Sequence, residues 1–304
     1  MIRGYVPLLL VVAAIWGSSY LFIKIAVDEI EPAAMMELRL ILAALVLVPF
    51  VVLRLGREQA VAEMRATGAG AWILGAVNMA IPFTLIAWGE KYIDSGVAAI
   101  ANASVPIFVA VLAIKYRPSE RARGVRLVGV LIGFVGVGVL AGLNPEGGWW
   151  AVAGTLAIVL ASLSYATANL YTQHRFPLTS PLVITASSCV AASIVLLPFA
   201  LFQLPDELPS LKALGSVAAL GVGGTAIALL FFYRMLTHYG AARASLVTYL
   251  LPPFALFYGV VFLDEVVTLN AALGLVLILA GVALGSGVVR LARRRAAAPA
   301  TPRP

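Results

Sequence analysis

The chain alternates long apolar stretches with short polar ones, at a spacing that predicts membrane-crossing helices. Ten stretches of about twenty residues carry few charges: 6–27, 33–54, 69–89, 95–115, 125–143, 149–171, 181–203, 212–235, 242–263 and 268–289. At a rise of about 1.5 Å per residue, each can cross a hydrocarbon core of about 30 Å. Lipid offers a backbone no hydrogen bonds, so such stretches read as helices. The pattern is also written twice. Residues 95–142 hold an apolar stretch containing Pro106, a basic loop, Glu120, and an apolar stretch with Gly129 and Gly136. Residues 241–287 repeat it with Pro252-Pro253, Glu265, Gly274 and Gly281. A shift of 145 residues carries Glu120 onto Glu265, Ser19-Tyr20 onto Ser164-Tyr165, and Pro32 onto Pro177. A fixed shift inside a membrane chain is the mark of a duplicated transport unit.

The expectation is therefore an all-α integral membrane protein with ten transmembrane helices in two five-helix repeats. The repeats cover 1–144 and 149–289, joined by a Gly/Pro-marked turn at 144–148 and followed by a basic disordered tail, 290–304. An odd number of crossings per repeat turns the second copy upside down. Loop charges orient the whole. Arg54, Arg57, Arg65, Arg117, Arg121, Arg123, Arg175, Arg243 and the arginines from 290 onward fall on one side. The opposite loops hold Lys91 and Lys212 among acids such as Asp28-Glu29-Glu31 and Asp206-Glu207. Both termini are thus expected in the cytoplasm.

Composition agrees with this picture. Hydrophobic residues make up 62%, charged residues 12%, and mean hydropathy is +1.01, well outside the range of soluble domains. The net charge of +7 follows the membrane sides and forms no nucleic-acid patch. Trp16 at the centre of the first stretch, and the lack of a small-residue cleavage site, argue against a cleaved signal. Cys189, the lone cysteine, lies mid-stretch and reads as packing. Gly129-xxx-Gly133, Gly138-xxx-Gly142 and Gly281-xxx-Gly285 favour close helix approach, as scaffold or as a homodimer contact; monomer and homodimer both stay open.

Polar groups at bilayer depth carry the functional expectation, because each costs several kcal/mol unless satisfied or wetted. Trp16 either bonds a neighbouring helix or lines a central cavity. Asn78 and Asn102 read equally as helix glue or cavity wall. Pro82 and Pro106 lie one turn from them, and a proline frees a carbonyl for a ligand. Ser19, Tyr20, Tyr165, Tyr249 and Pro252 complete the candidate binding set. Lys24, Glu37 and Arg39 fall toward the outer ends, where long side chains snorkel. They suggest a Lys24–Glu37 pair closing a vestibule, or a gate that attracts a zwitterion. His174 and His238 read as interface residues. No His/Cys cluster, phosphate loop or Ser-His-Asp set stands out, so no metal, cofactor or catalytic residue is assigned.

The run Trp16-Gly17-Ser18-Ser19-Tyr20-Leu21-Phe22-Ile23-Lys24 resembles the first-helix signature of the drug/metabolite transporter superfamily, EamA type. Pro32 followed by Arg39, the segment Ala101-Asn102-Ala103-Ser104-Val105-Pro106, and the acid-then-glycine pattern after it are similar too. The resemblance implies a ten-helix inverted repeat in a bacterial inner membrane. It also implies export of amino acids, other metabolites or drugs; the aromatic and neutral amino-acid exporters look most alike. Related small multidrug transporters carry a proton-coupling carboxylate eight residues before the first-helix lysine, where this chain has Trp16.

Two classes of function are weighed. A secondary exporter would alternate access around a midplane cavity, binding a small molecule through Trp, Tyr, Asn and backbone groups. A membrane enzyme would need a titratable or metal-ligating set in that cavity, which is not apparent. Nucleotide sugars rank below amino acids, since phosphates call for several deep basic residues.

Overall fold

The computed structural model describes residues 2–116, 125–141 and 148–285; Glu120, the turn at 144–147 and the tail lie outside the described residues. Every regular element among the described residues is helical. Helices α1 (Ile2–Ala26) and α2 (Pro32–Leu55) run unbroken, and a short polar helix, α3 (Arg57–Ala66), fills the loop after them. The third apolar stretch is one rod with a π-helical centre: α4 (Ala69–Gly75), π1 (Ala76–Ala80) and α5 (Ile81–Glu90). The fourth is broken into α6 (Ser95–Asn102) and α7 (Val105–Tyr116), and α8 (Val125–Ala141) follows.

The second half begins with α9 (Gly148–Arg175) and α10 (Pro181–Leu201). Its third rod again has a π-helical centre: α11 (Leu211–Ala218), π2 (Ala219–Ile227) and α12 (Ala228–Tyr239). Then come α13 (Ala241–Ala244), α14 (Val247–Leu263) and α15 (Leu269–Gly285). Seven helical rods are long and apolar enough to cross a membrane, and three shorter apolar helices, Leu127–Leu140, Val247–Leu263 and Leu269–Leu284, accompany them.

Proline positions explain much of this layout. Pro32, Pro82 and Pro181 sit in the first turns of α2, α5 and α10. In the first turn the absent N–H costs least. Pro106 likewise opens α7, and the chain turns just before it at Ala103-Ser104, where Ser104 Oγ donates to the Ala101 carbonyl at 2.7 Å. The ninth stretch departs from the expected symmetry. Pro252 and Pro253 lie inside α14, and the break falls earlier, at Ser245-Leu246, after Gly240 turns the chain at φ 82°.

The core forms where the halves meet. α2 packs on α10, α8 on α15, α1 on α14 and α5 on α9. Glycines make the α8–α15 contact possible. A Cβ on Gly281 would stand 2.5 Å from Gly133 N and 2.7 Å from the Gly129 carbonyl, and one on Gly136 would stand 2.8 Å from Ile278 N. The glycine stripe therefore joins two helices of one chain. Outward faces are apolar: Leu45, Leu131, Val135, Phe199, Phe262 and Val276 are exposed. So broad an apolar surface belongs in lipid, and the protein is a multi-pass membrane protein.

Candidate functional site

The polar loops and helix ends gather at two ends of the bundle. At one, the acidic end, four contacts tie loop to helix. Glu265 accepts from Ser95 N (2.7 Å), Ser95 Oγ (2.9 Å) and Gly96 N (3.1 Å), capping α6. Charge at a helix N-terminus is favourable there. Glu29 takes Ser210 N and Oγ, both at 2.6 Å, at the start of α11; these bonds hold its carboxyl below the usual carboxylate range. Lys91 pairs with Glu31 at 2.7 Å, and Gln203 Oε1 accepts from Ala33 N at 2.7 Å. Trp150 stacks on Tyr92 at 5.1 Å beside them. At the other, basic end, Tyr5 donates to the Arg243 carbonyl at 2.9 Å, and Arg54 lies over the Tyr233 ring at 5.9 Å.

Between the ends lies a cavity of about 470 Å³, within the size range of small-molecule sites, about 300–1,000 Å³. Its wall brings together Trp16, Ser19 and Tyr20 of α1, Asn78 of π1, Asn102 of α6, Pro106 of α7 and Tyr165 of α9. Toward the basic end the wall continues through Asn169, Thr185, Phe232, Ser245 and Thr248. A second space of about 200 Å³ shares Asn169, Thr185 and Phe232 and reaches Thr172 and Tyr233. The path thus leads to the basic end, while Ile23 and Ile86 bound it toward the acidic end.

The two π-helical segments shape this wall. A π turn bonds i to i+5 and disturbs the regular ladder, and such turns recur at functional sites. Each one's carbonyls are met by a first-helix side chain of the other half. Trp16 Nε1 donates to the Gly224 carbonyl in π2 at 3.1 Å, and Ser164 Oγ donates to the Val77 carbonyl in π1 at 2.6 Å. Trp16 therefore does both things expected of it as alternatives: it bonds a neighbouring helix and lines the cavity. Its ring also lies 5.1 Å from that of Phe232. Asn102 Nδ2 donates to the Tyr20 hydroxyl at 2.8 Å, so this amide is glue as well as wall. Ser162 Oγ lies 3.4 Å from the Asn102 carbonyl that Pro106 leaves unpaired, and 3.1 Å from the Ile158 carbonyl. The Asn78 amide and the Tyr165 hydroxyl have no hydrogen-bond partner among the described residues, and both face the cavity.

Several expected residues fall elsewhere. Pro82, Tyr249 and Pro252 are not in the wall; Val247, Thr248 and Leu251 present α14 instead. The early break at Ser245-Leu246 sets that phase. Lys24 does not pair with Glu37. Its ammonium donates to the carbonyls of Glu90 (2.7 Å) and Ile93 (2.9 Å), closing the end of α5, while Glu37 accepts from Ser193 of α10. Neither lines the cavity.

Arg39 is the largest departure. Expected near the surface, it is buried in the cavity wall at 6% exposure. Its Nε donates to Thr225 Oγ1 at 2.9 Å, and its guanidinium lies 4.0 Å over the Phe83 ring. No carboxylate lies within 4.0 Å of it among the described residues. Thr225 in turn donates to the Leu220 carbonyl at 2.9 Å, within π2. Sequence reasoning also missed Asn169, one turn beyond Tyr165 on the same face. That i, i+4 spacing was the available signal.

The sequence family described as the EamA-like transporter family matches residues 4–142 and again 152–287. An uncharacterized transporter of Archaeoglobus fulgidus is 31% identical over 88% of this chain and 93% of its own length. The uncharacterized transporter YoaV of Bacillus subtilis is 25% identical over 89% and 92%. The uncharacterized inner membrane transporter YedA of Escherichia coli K12 is 27% identical over 81% and 78%. A solved crystal structure shares the fold at TM-score 0.65 and 20% identity, covering 97% of this chain and 99% of its own.

Proposed function

The chain belongs to the EamA-like transporter family, and on that premise we propose that it exports small carboxylate-bearing metabolites, neutral and aromatic amino acids first among them. The observation that carries this reading is Arg39. A buried charge without a counter-ion is expensive, and this guanidinium, bonded through Nε to Thr225, has donors to spare beside an open cavity. A carboxylate entering from the basic end would meet a planar fork suited to bidentate bonding. The amide oxygens of Asn78 and Asn169 can receive an ammonium. Faces of Trp16, Tyr20, Tyr165 and Phe232 suit an apolar or aromatic side chain and attract the ammonium by about 0.5–2 kcal/mol. No Asp, Glu, His or Cys appears in the described wall, which favours binding and release over bond-breaking chemistry.

The transport cycle follows from the two ends. Ten crossings in two inverted halves, with the basic end cytoplasmic, make this the inward-facing state of an alternating-access exporter. The double family match, the recurrence of a π centre in each half's third rod, and the arginine-rich loops support that arrangement. The test is counterflow in proteoliposomes with labelled neutral amino acids. Unlabelled amino acid should compete, and its methyl ester, which lacks the carboxylate, should not. Equal competition by the ester removes the carboxylate reading. Nucleotide sugars remain a second reading, which the same competition assay separates.

A further inference from the structure

The cavity ends at Ile86, and one helical turn further along α5, at its last residue, stands Glu90. Its side chain is fully buried, at 0% exposure. Neither carboxyl oxygen has a hydrogen-bond partner among the described residues, and no cation lies within 4.0 Å of it there. The same end of the molecule shows a carboxylate with a full set of donors. Glu265 receives three hydrogen bonds from the start of α6, whereas Glu90 receives none. A bare anion in such a place is disfavoured against the neutral acid. With the acidic end shut, Glu90 is arranged to hold a proton.

We propose that Glu90 is a proton-binding site that couples export to a proton gradient. It takes a proton from the acidic-end compartment and gives it up toward the cavity as substrate moves the other way. This rests on the transport reading above. Lys24 marks the coupling step. Its ammonium is spent on the carbonyls of Glu90 and Ile93, so opening this end breaks those bonds, wets Glu90 and leaves a cation beside it. Ionisation therefore accompanies opening, and protonation accompanies closure. The charged and titratable groups around Glu90 are Lys24 and Tyr20 on α1, Arg39 on α2, and Glu265 between α14 and α15. α9 meets this turn with Gly154 and Ile158 against Gly89, adding no charge.

The experiment has two arms. In the first, a cysteine replaces Ala99 of the cavity wall, in a chain also carrying Cys189→Ser. In sealed vesicles, an impermeant maleimide added on the acidic-end side alone then reports opening of that end, with no substrate present and each rate divided by that of the unfolded Ala99→Cys chain at the same pH. That normalised rate should rise several-fold across about pH 5 to 9, and Glu90→Gln should flatten the normalised profile at the slow, acid-side value. A flat profile in the Ala99→Cys protein with Glu90 intact overturns the proposal, even if the Gln variant fails to fold. In the second arm, proteoliposomes containing a pH dye are given an amino-acid gradient. Wild type should move protons against substrate, and Glu90→Gln should exchange substrate slowly, at a rate that no longer depends on pH, and move no protons. Counterflow without proton movement in wild type sinks the proton site and leaves the transport reading standing. Absence of counterflow in wild type sinks the amino-acid reading, and the labelling profile still decides Glu90.

Discussion

Removing the cap that Glu265 places on α6 should loosen the acidic end without touching the cavity. Its carboxylate accepts three hydrogen bonds, two from backbone amides at a helix start and one from Ser95 Oγ. Losing a side-chain N-cap costs about 0.5–2 kcal/mol, and losing a negative charge from a helix N-terminus about 0.3–1 kcal/mol. Together these give about 1–2 kcal/mol, or roughly a 5- to 30-fold shift toward the open form. Gly259 supplies an independent route to the same perturbation. A Cβ there would collide with Glu265 Oε2 and stand 2.9 Å from Ser95 Oγ, so Gly259→Ala should evict the carboxylate. The assay is maleimide labelling of a cysteine at position 99 from the acidic-end side. Glu265→Ala and Gly259→Ala should each raise the labelling rate by that factor, and the double variant should add little. If both singles label at the parent rate, the cap does not hold the end shut.

Other outcomes are expected elsewhere. Gly281→Ala forces a methyl against Gly133 and Gly129, which should cost about 1–3 kcal/mol as overpacking, read as a lowered melting temperature in detergent; an unchanged value would mean α8 and α15 part easily. Trp16→Phe keeps a ring near Phe232 but deletes the bond to the Gly224 carbonyl. The loss of about 0.5–1.5 kcal/mol should reduce counterflow a few-fold, and normal transport would assign Trp16 to packing.

Much of this was legible in the residues themselves. Hydropathy locates the seven rods among the described residues that are long and apolar enough to cross a membrane, because lipid leaves a helix as the simple answer; three of its ten stretches are shorter apolar helices there. The depth argument found Trp16, Ser19, Tyr20, Asn78, Asn102, Pro106 and Tyr165, which line one cavity. It failed at Tyr249 and Pro252 because a break upstream rotated α14, and nothing in the pattern marks Ser245-Leu246 as that break. It misplaced Arg39 because distance from the helix start was read as nearness to water. About two turns into α2, the side chain instead finds Thr225 and Phe83 on elements far away in sequence. Glu90 was hidden for a related reason. Beside Lys91 it reads as the start of a polar loop, yet Lys91 reaches out to Glu31 while Glu90 turns inward. Opposite fates for adjacent charges are decided by tertiary contacts alone.

The paired π turns also say something about descent. A π turn amounts to one residue more than a regular helix would hold, a single-residue insertion in an older rod. Moved by the 145-residue shift of the sequence repeat, Ala76–Ala80 falls within Ala219–Ile227. Two separate insertions would have had to strike the same register of the two matching halves. One insertion, made before the unit was duplicated, accounts for both. The first-helix donors then record what happened after fusion. Trp16 serves π2 and Ser164 serves π1, so each half has drifted toward its own answer to a defect they inherited in common.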